Sequence, residues 1–156
     1  MNTDKDYNET IERIAVTLRD KIISEIARKG LYDTGELYRS VDYEIEGNDI
    51  LIYANSYLPY AECGRGPGGI PYNFAQIIAQ WAARKNIHLN KGTYNDFGFA
   101  VAQKTRQFGS ARYRGDMPTA DVLSQPVEDV MNNTLNEEFA GVLTAMIMSK
   151  LEGLLE

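Results

Sequence analysis

VDYEIEGNDILIYA, Val41 to Ala54, is the stretch whose reading decides the fold. Val41, Tyr43 and Ile45 alternate with Asp42, Glu44 and Glu46, the period of two that places apolar side chains on one face of a strand. Gly47-Asn48-Asp49 turns the chain, and Ile50 to Ala54 returns as a second, more apolar strand. Two strands alone are marginal in water, so this hairpin needs helices or a neighbour's strand to cover its apolar face.

Helices are available on both sides. Upstream, residues 8 to 29 read as an amphipathic helix, with Ile11, Ile14, Leu18, Ile22 and Ile26 at three- and four-residue spacing and Ala15 beside them. Gly30 suits a helix stop after Arg28 and Lys29. Thr34 suits the cap of a short turn that presents Leu37, and Ser40 leads into the first strand. Downstream, Asn73 to Lys85 reads as a helix capped by Asn73, with a stripe of Phe74, Ile77, Ile78, Trp81 and Ala82. Asp96 to Phe108 is a third helical stretch through Phe97, Ala100, Val101 and Lys104, weakened by Gly98. Ala120 to Leu123 reads as a short strand. A last helix is expected over 126–155, opened by Pro126 and carrying Val127, Val130, Met131, Leu135, Phe139, Val142, Met146, Ile147, Leu151 and Leu154. That stripe is wider than one small sheet covers, which points part of it to an oligomer interface. The expected fold is α+β: one domain over 1–156, a small antiparallel sheet packed by the first and last helices.

Between hairpin and helices lies YLPYAECGRGPGGIP, Tyr57 to Pro71, with three of the chain's five prolines and four of its thirteen glycines. Such composition predicts a shaped loop projecting from the scaffold, where binding usually sits.

Charge is uneven along the chain. Residues 1–59 carry seven Lys/Arg against twelve Asp/Glu, residues 60–118 eight against three, and residues 119–156 one against seven, giving the overall −6. A basic middle between acidic ends is either self-complementary between subunits or a solvated mixed surface. The net acidity argues against non-specific attraction to nucleic acid. A single cysteine excludes an internal disulfide framework and fits a reducing compartment. The polar, acidic N-terminus does not read as a signal peptide, and no apolar run reaches the roughly 20 residues of a spanning helix.

Catalytic chemistry finds little to work with. Cys63 as a thiol nucleophile needs a base, His88 is the only histidine, and nothing in the sequence places the two together. A small apolar residue tucked under the loop is the simpler reading of Cys63. One Cys and one His do not make a structural zinc site, and the alternating Asp42, Glu44 and Glu46 read as a solvated strand face. GRGPGG lacks the glycine spacing and the Gly-Lys-Ser/Thr ending of nucleotide-binding loops. No cofactor is expected. Arg106, Arg112 and Arg114, with Phe108 and Tyr113, mix basic and aromatic residues suited to nucleic acid or to an acidic protein surface, and the acidic whole favours the protein.

YLPYAECGR resembles the motif of the tail-completion (neck) proteins of tailed bacteriophages, which typically reads Tyr-Ala-Pro-Tyr-Val-Glu-Phe-Gly-Thr after a hairpin. Tyr57, Pro59, Tyr60, Glu62 and Gly64 match; Leu58, Ala61, Cys63 and Arg65 depart. Thr34-Gly35-x-Leu37-x-x-Ser40 is similar to the pattern that precedes the first strand in that family. IIAQWAARKNI and FAVAQKTRQFG resemble its following helices, and DVLSQPVEDV resembles its Pro-Phe-Leu-x-Pro-Ala segment, although Ala120, Asp121, Val122 and Leu123 replace Pro-Phe-Leu. The resemblance spans roughly residues 10 to 155.

It implies a non-enzymatic virion protein, made in the host cytoplasm. Copies form a sixfold ring at the neck, between portal, adaptor or head-closure proteins and tail terminator or tail tube proteins. Genomic DNA passes through the lumen without specific binding, and no membrane is involved. Tyr57, Pro59, Tyr60, Glu62, Gly64 and Arg65 are then the expected contact loop, with Tyr60 an amphipathic anchor and Glu62 a paired or capping carboxylate. The competing reading is a loop that folds back on its own hairpin. Arg106, Arg112 and Arg114 form the expected second patch, and Glu128, Asp129, Glu137, Glu138, Glu152 and Glu156 are carboxylates suited to a lumen. Alternatives are a tail terminator or head-closure protein of the same neck, and a small nucleic-acid-binding module.

Overall fold

The computed structural model describes residues 3–31 and 33–152. The fold is α+β: a two-stranded antiparallel sheet among helices. Contacts within residues 1–156 form two compact units, one of Met1–Tyr57 with Asp121–Glu156, the other of Leu58–Ala120.

The first unit is built on α1 (Thr3–Arg28). The expected stripe is its buried face: Ile11, Ile14, Ala15, Ile22 and Ile26 are buried, and Leu18 is half-buried. Each buried isoleucine contributes roughly 1.5–3 kcal/mol. Gly30, at φ 68, ends the helix as expected, with Leu31 N–H donating to the Ile26 carbonyl and Gly30 N–H to that of Ala27.

The helical turn α2 (Glu36–Ser40) buries Leu37. Ser40 Oγ donates to the Leu37 carbonyl at 2.8 Å and accepts from Asn55 N–H at 2.9 Å, tying this turn to the far end of the hairpin. Strands β1 (Asp42–Glu46) and β2 (Asp49–Tyr53) pair antiparallel, Asp42 opposite Tyr53 and Glu46 opposite Asp49. Their loop is two residues long, and Gly47 takes φ 62 at its first position while Asn48 does not, the pattern of a type II′ turn. The half-buried side of β1, Tyr43 and Ile45, is the side expected. Tyr43 also donates its hydroxyl to Glu12 of α1 and lies under the Arg19 guanidinium, 5.7 Å from the ring centroid.

The last helical run contains a π turn that its periodicity did not suggest. α6 (Ser124–Asp129) passes through a π-helical segment (Val130–Thr134) into α7 (Leu135–Glu152). Pro126, Asp129 and Val130 at its start and Thr134, Leu135, Glu138, Phe139 and Val142 beyond are buried or half-buried, so the inward stripe continues through the π turn. Asp129 pairs with Lys21, Arg13 binds Glu138 at 3.0 Å, and Tyr7 meets Phe139 with ring centroids 6.2 Å apart. This run therefore lies antiparallel to α1. The expected end near Leu155, with Leu154 and Glu156, lies outside the described residues. No strand forms at Ala120–Leu123, because Asp121 sits at φ 54, outside the β region.

The second unit contains α3 (Leu58–Cys63), α4 (Phe74–Arg84) and α5 (Tyr94–Phe108). The stretch Tyr57–Pro71 is thus half helix, not a loop throughout. Proline at the second position of α3 satisfies the first-turn preference, so a Pro-rich stretch hid a helical turn. Helices α4 and α5 pack through small residues: Ala79, Ala82, Gly98, Ala102 and Thr105 are buried. The stripe expected on α4 is corrected accordingly, because Ile77 and Trp81 are exposed. On α5 the buried face likewise shifts from Phe97, Ala100 and Val101 to Gly98, Ala102 and Thr105. The reason is distance. A Cβ on Gly98 would stand 2.2 Å from the Ala75 carbonyl oxygen and 3.1 Å from Ala79 Cβ.

Asn73 precedes α4 without a side-chain cap, whereas Thr93 and Asp96 form a reciprocal capping box at α5: Asp96 N–H donates to Thr93 Oγ1 at 3.2 Å and Thr93 N–H to Asp96 Oδ2 at 2.8 Å.

Gly98→Ala is expected to destabilise the second unit by about 1–3 kcal/mol, the cost of overpacking. Gly141→Ala, in α7 with open space around it, should instead stabilise by about 0.5–1 kcal/mol. Urea titrations followed by Trp81 fluorescence and by far-ultraviolet circular dichroism, respectively, check both signs. The Thr93 N–H and hydroxyl hold the Asp96 carboxyl below its ordinary 3.8. A depressed folded value contributes stability above the ordinary value that disappears as pH falls through the folded one. Asp96→Asn should therefore cost stability at neutral pH and converge with the wild type in acid.

Candidate partner-contact site

The side chains of α3 divide cleanly. Leu58, Ala61 and Glu62 are buried, while Pro59 and Tyr60 are exposed, as is Tyr57 just before the helix. Glu62 is therefore corrected from a contact residue to an internal one. Glu62 is engaged, and no buried side-chain polar atom among the described residues lacks a partner. The Glu62 main-chain carbonyl also accepts from Ala120 N–H at 2.9 Å. Cys63 is exposed, against the expectation of a residue tucked under the loop. It occupies the last position of a short helix whose inward positions are already taken.

Gly64 closes α3 at φ 81, its N–H donating to the Tyr60 carbonyl at 3.0 Å. A Cβ there would stand 2.5 Å from Ser110 Oγ and 2.6 Å from Tyr113 N, so two independent constraints require glycine. Beyond it the chain is clamped to the end of α5. Arg65 N–H donates to Ser110 Oγ at 2.9 Å, Ser110 N–H donates to the Arg65 carbonyl at 2.8 Å, and Gly68 N–H donates to the Arg106 carbonyl at 2.9 Å. The last of these satisfies a carbonyl that the helix end leaves without an intrahelical donor.

The Arg65 guanidinium donates to the Gly69 carbonyl and lies 5.1 Å from the centroid of the Tyr60 ring. Stacking of this kind is worth about 0.5–1 kcal/mol at an exposed site, enough to bias the ring's orientation. Tyr60 is thereby presented at 46 % exposure on a backbone that is hydrogen-bonded on both sides.

The three arginines expected as a second patch do not act together. Arg112 donates through Nε to the Pro118 carbonyl at 2.9 Å and through Nη1 to the Ala61 carbonyl. Arg114 donates to the Gly109 carbonyl and pairs with Asp116. Both guanidiniums brace the 109–118 loop. Arg106 is exposed, and its side chain makes no hydrogen bond or ion pair among the described residues.

Arg106 instead borders an open groove of about 720 Å³ that sequence reasoning missed. Residues 68–71, Ala75 and Ala102 lie in the lining, and Tyr72, Phe99 and Gln103 complete it. Tyr72 is fully exposed and Phe99 is 62 % exposed. The only signal in the sequence was negative: neither aromatic belongs to a helical stripe.

Among the described residues no three His, Cys, Asp or Glu side chains gather as a metal site, and no helix is long and apolar enough to cross a membrane. Compared with protein-family models, curated proteins and solved structures, the chain matches none.

Gly64→Ala should destabilise by about 1–3 kcal/mol and free the clamp. The expected readouts are faster amide exchange at Gly68 and Ser110 and faster tryptic cleavage after Arg65. Cys63→Ser, at an exposed position, should stay within about 0.5 kcal/mol of the wild type.

Proposed function

We propose that this chain is a structural, non-enzymatic component of a tailed-phage virion, assembling as a sixfold ring at the neck where the tail meets the head-side connector. The observation that carries the reading is the presentation of Tyr57, Pro59 and Tyr60. Pro59 and Tyr60 are exposed on a helical turn that Gly64 closes and whose continuation at Arg65 is hydrogen-bonded to Ser110, and Tyr57 is exposed just before it. An amphipathic aromatic on a rigid mount loses little entropy on docking, which is how interface anchors act. The same residues carry the resemblance to tail-completion proteins. Gly64 serves the motif as backbone geometry and Glu62 as an internal carboxylate, while Tyr57, Pro59, Tyr60 and Arg65 supply the surface offered to portal, adaptor, head-closure or tail proteins.

The carboxylates Glu128 and Glu137 are exposed and fit a lumen that DNA traverses without sticking, whereas Asp129 and Glu138 are engaged by Lys21 and Arg13. A nucleic-acid module draws less support, because Arg112 and Arg114 are committed to main-chain carbonyls and Arg106 stands without them.

Light scattering and negative-stain imaging at rising concentration test the assembly, with rings of about six copies expected. Tyr60→Ala should weaken docking to the neighbouring neck protein at least tenfold, about 1.4 kcal/mol. Absence of the protein from purified particles of a phage that encodes it would sink the reading. Salt-dependent DNA retention abolished by Arg106→Glu would replace it with the nucleic-acid module.

A further inference from the structure

Two of the uncovered apolar surfaces lie on different units, and those units are opposite in net charge. The first is the outer face of α7. Leu143 and Ile147 lie one turn apart, 57 % and 58 % exposed, on the side of the helix away from Val142. From Phe139 to Ser149 the helix carries no charged residue, yet the unit bearing it has eight Lys/Arg against nineteen Asp/Glu, net −11. The second is the groove beside Tyr72 and Phe99. Its unit has eight Lys/Arg against three Asp/Glu, net +5, which with −11 gives the chain's −6. Arg106 at its edge holds an unengaged guanidinium.

Shape agrees with charge. Two aliphatic side chains four residues apart on a helix are the usual anchors for a helix laid in a groove. An open groove of about 720 Å³, with alanines in its lining and aromatics beside them, is of the size that accepts such anchors.

We propose that α7 of one copy docks Leu143 and Ile147 into the Tyr72–Phe99 groove of a second copy, with Arg106 meeting the acidic unit that carries the helix. The inference rests on the ring proposed above and names the two faces that would build it. Pairing α7 with another α7 would bring two units of net −11 together, and groove against groove would oppose two basic units, so the unlike pairing is the favoured one. Unlike faces make a heterologous contact, which repeats from copy to copy and closes into a ring when the rotation allows.

Complementary surface variants of the full-length chain test this by sedimentation velocity. One carries Phe99→Asp with Arg106→Glu in the groove; the other carries Leu143→Asp with Ile147→Asp on α7. All four positions are exposed, and circular dichroism checks that each variant folds. Wild type should associate with rising concentration, and added salt should weaken that association. Each variant alone should stay monomeric, shifting the association midpoint at least tenfold. An equimolar mixture should form a dimer and nothing larger, because each pair retains one intact groove and one intact helix.

Rings formed by both variants would overturn the inference while leaving the neck reading intact, since other faces would then build the ring. A groove variant that assembles normally beside a dead α7 variant would overturn it in favour of α7 pairing with itself. A mixture that stays monomeric, or a wild type monomeric throughout, would overturn it as well. In that last case the neck reading falls or stands on the composition of purified particles.

Discussion

Burial of the apolar face of α1 is the constraint on which the first unit depends. The α2 turn, both strands and the whole last helical run pack on this one helix. Its four buried isoleucines contribute several kilocalories per mole together. The polar contacts at the same interfaces, Lys21 with Asp129 and Arg13 with Glu138, are part-exposed pairs worth at most about 1 kcal/mol each. The isoleucines decide that the helix is covered, and the ion pairs only help to choose the register. A two-stranded sheet survives here because α1 covers it.

The second unit obeys a different rule. Its two longer helices approach so closely that glycine and alanine occupy the interface, and large side chains are forced outward. Trp81, Ile77 and Phe99 are exposed for that reason. The groove is a by-product of the same packing, bounded on its open side by a Pro/Gly segment that hydrogen-bonds to the end of α5. Close packing inside this unit thus produces an aromatic, one-arginine surface outside it.

The Tyr57–Arg65 stretch shows how a conspicuous sequence pattern divides between geometry and surface. Tyr57, Pro59 and Tyr60 face solvent; Gly64 exists for its backbone and the space it leaves; Glu62 points inward. Arg65 joins the two roles, its main chain in the clamp and its guanidinium against Tyr60. Arg112 and Arg114 look equally conspicuous in the sequence, yet they brace the 109–118 loop through main-chain carbonyls, beside turn bonds such as Arg114 N–H to the Ser110 carbonyl.

The α+β class, the hairpin with its turn, the face of α1, the stop at Gly30 and the existence of the other long helices followed from the sequence alone. These features depend on periodicity and local backbone preference, which neighbouring residues carry among themselves. The helical start of the Pro/Gly stretch, the π turn at Val130–Thr134, the small-residue faces of α4 and α5, the inward Glu62 and the groove were decided by the tertiary structure. Each depends on how near a distant segment comes. The 2.2 Å between a Cβ on Gly98 and the Ala75 carbonyl oxygen shows why: hydrophobicity ranks which residues prefer burial, but only the separation of two helices determines which of them fit.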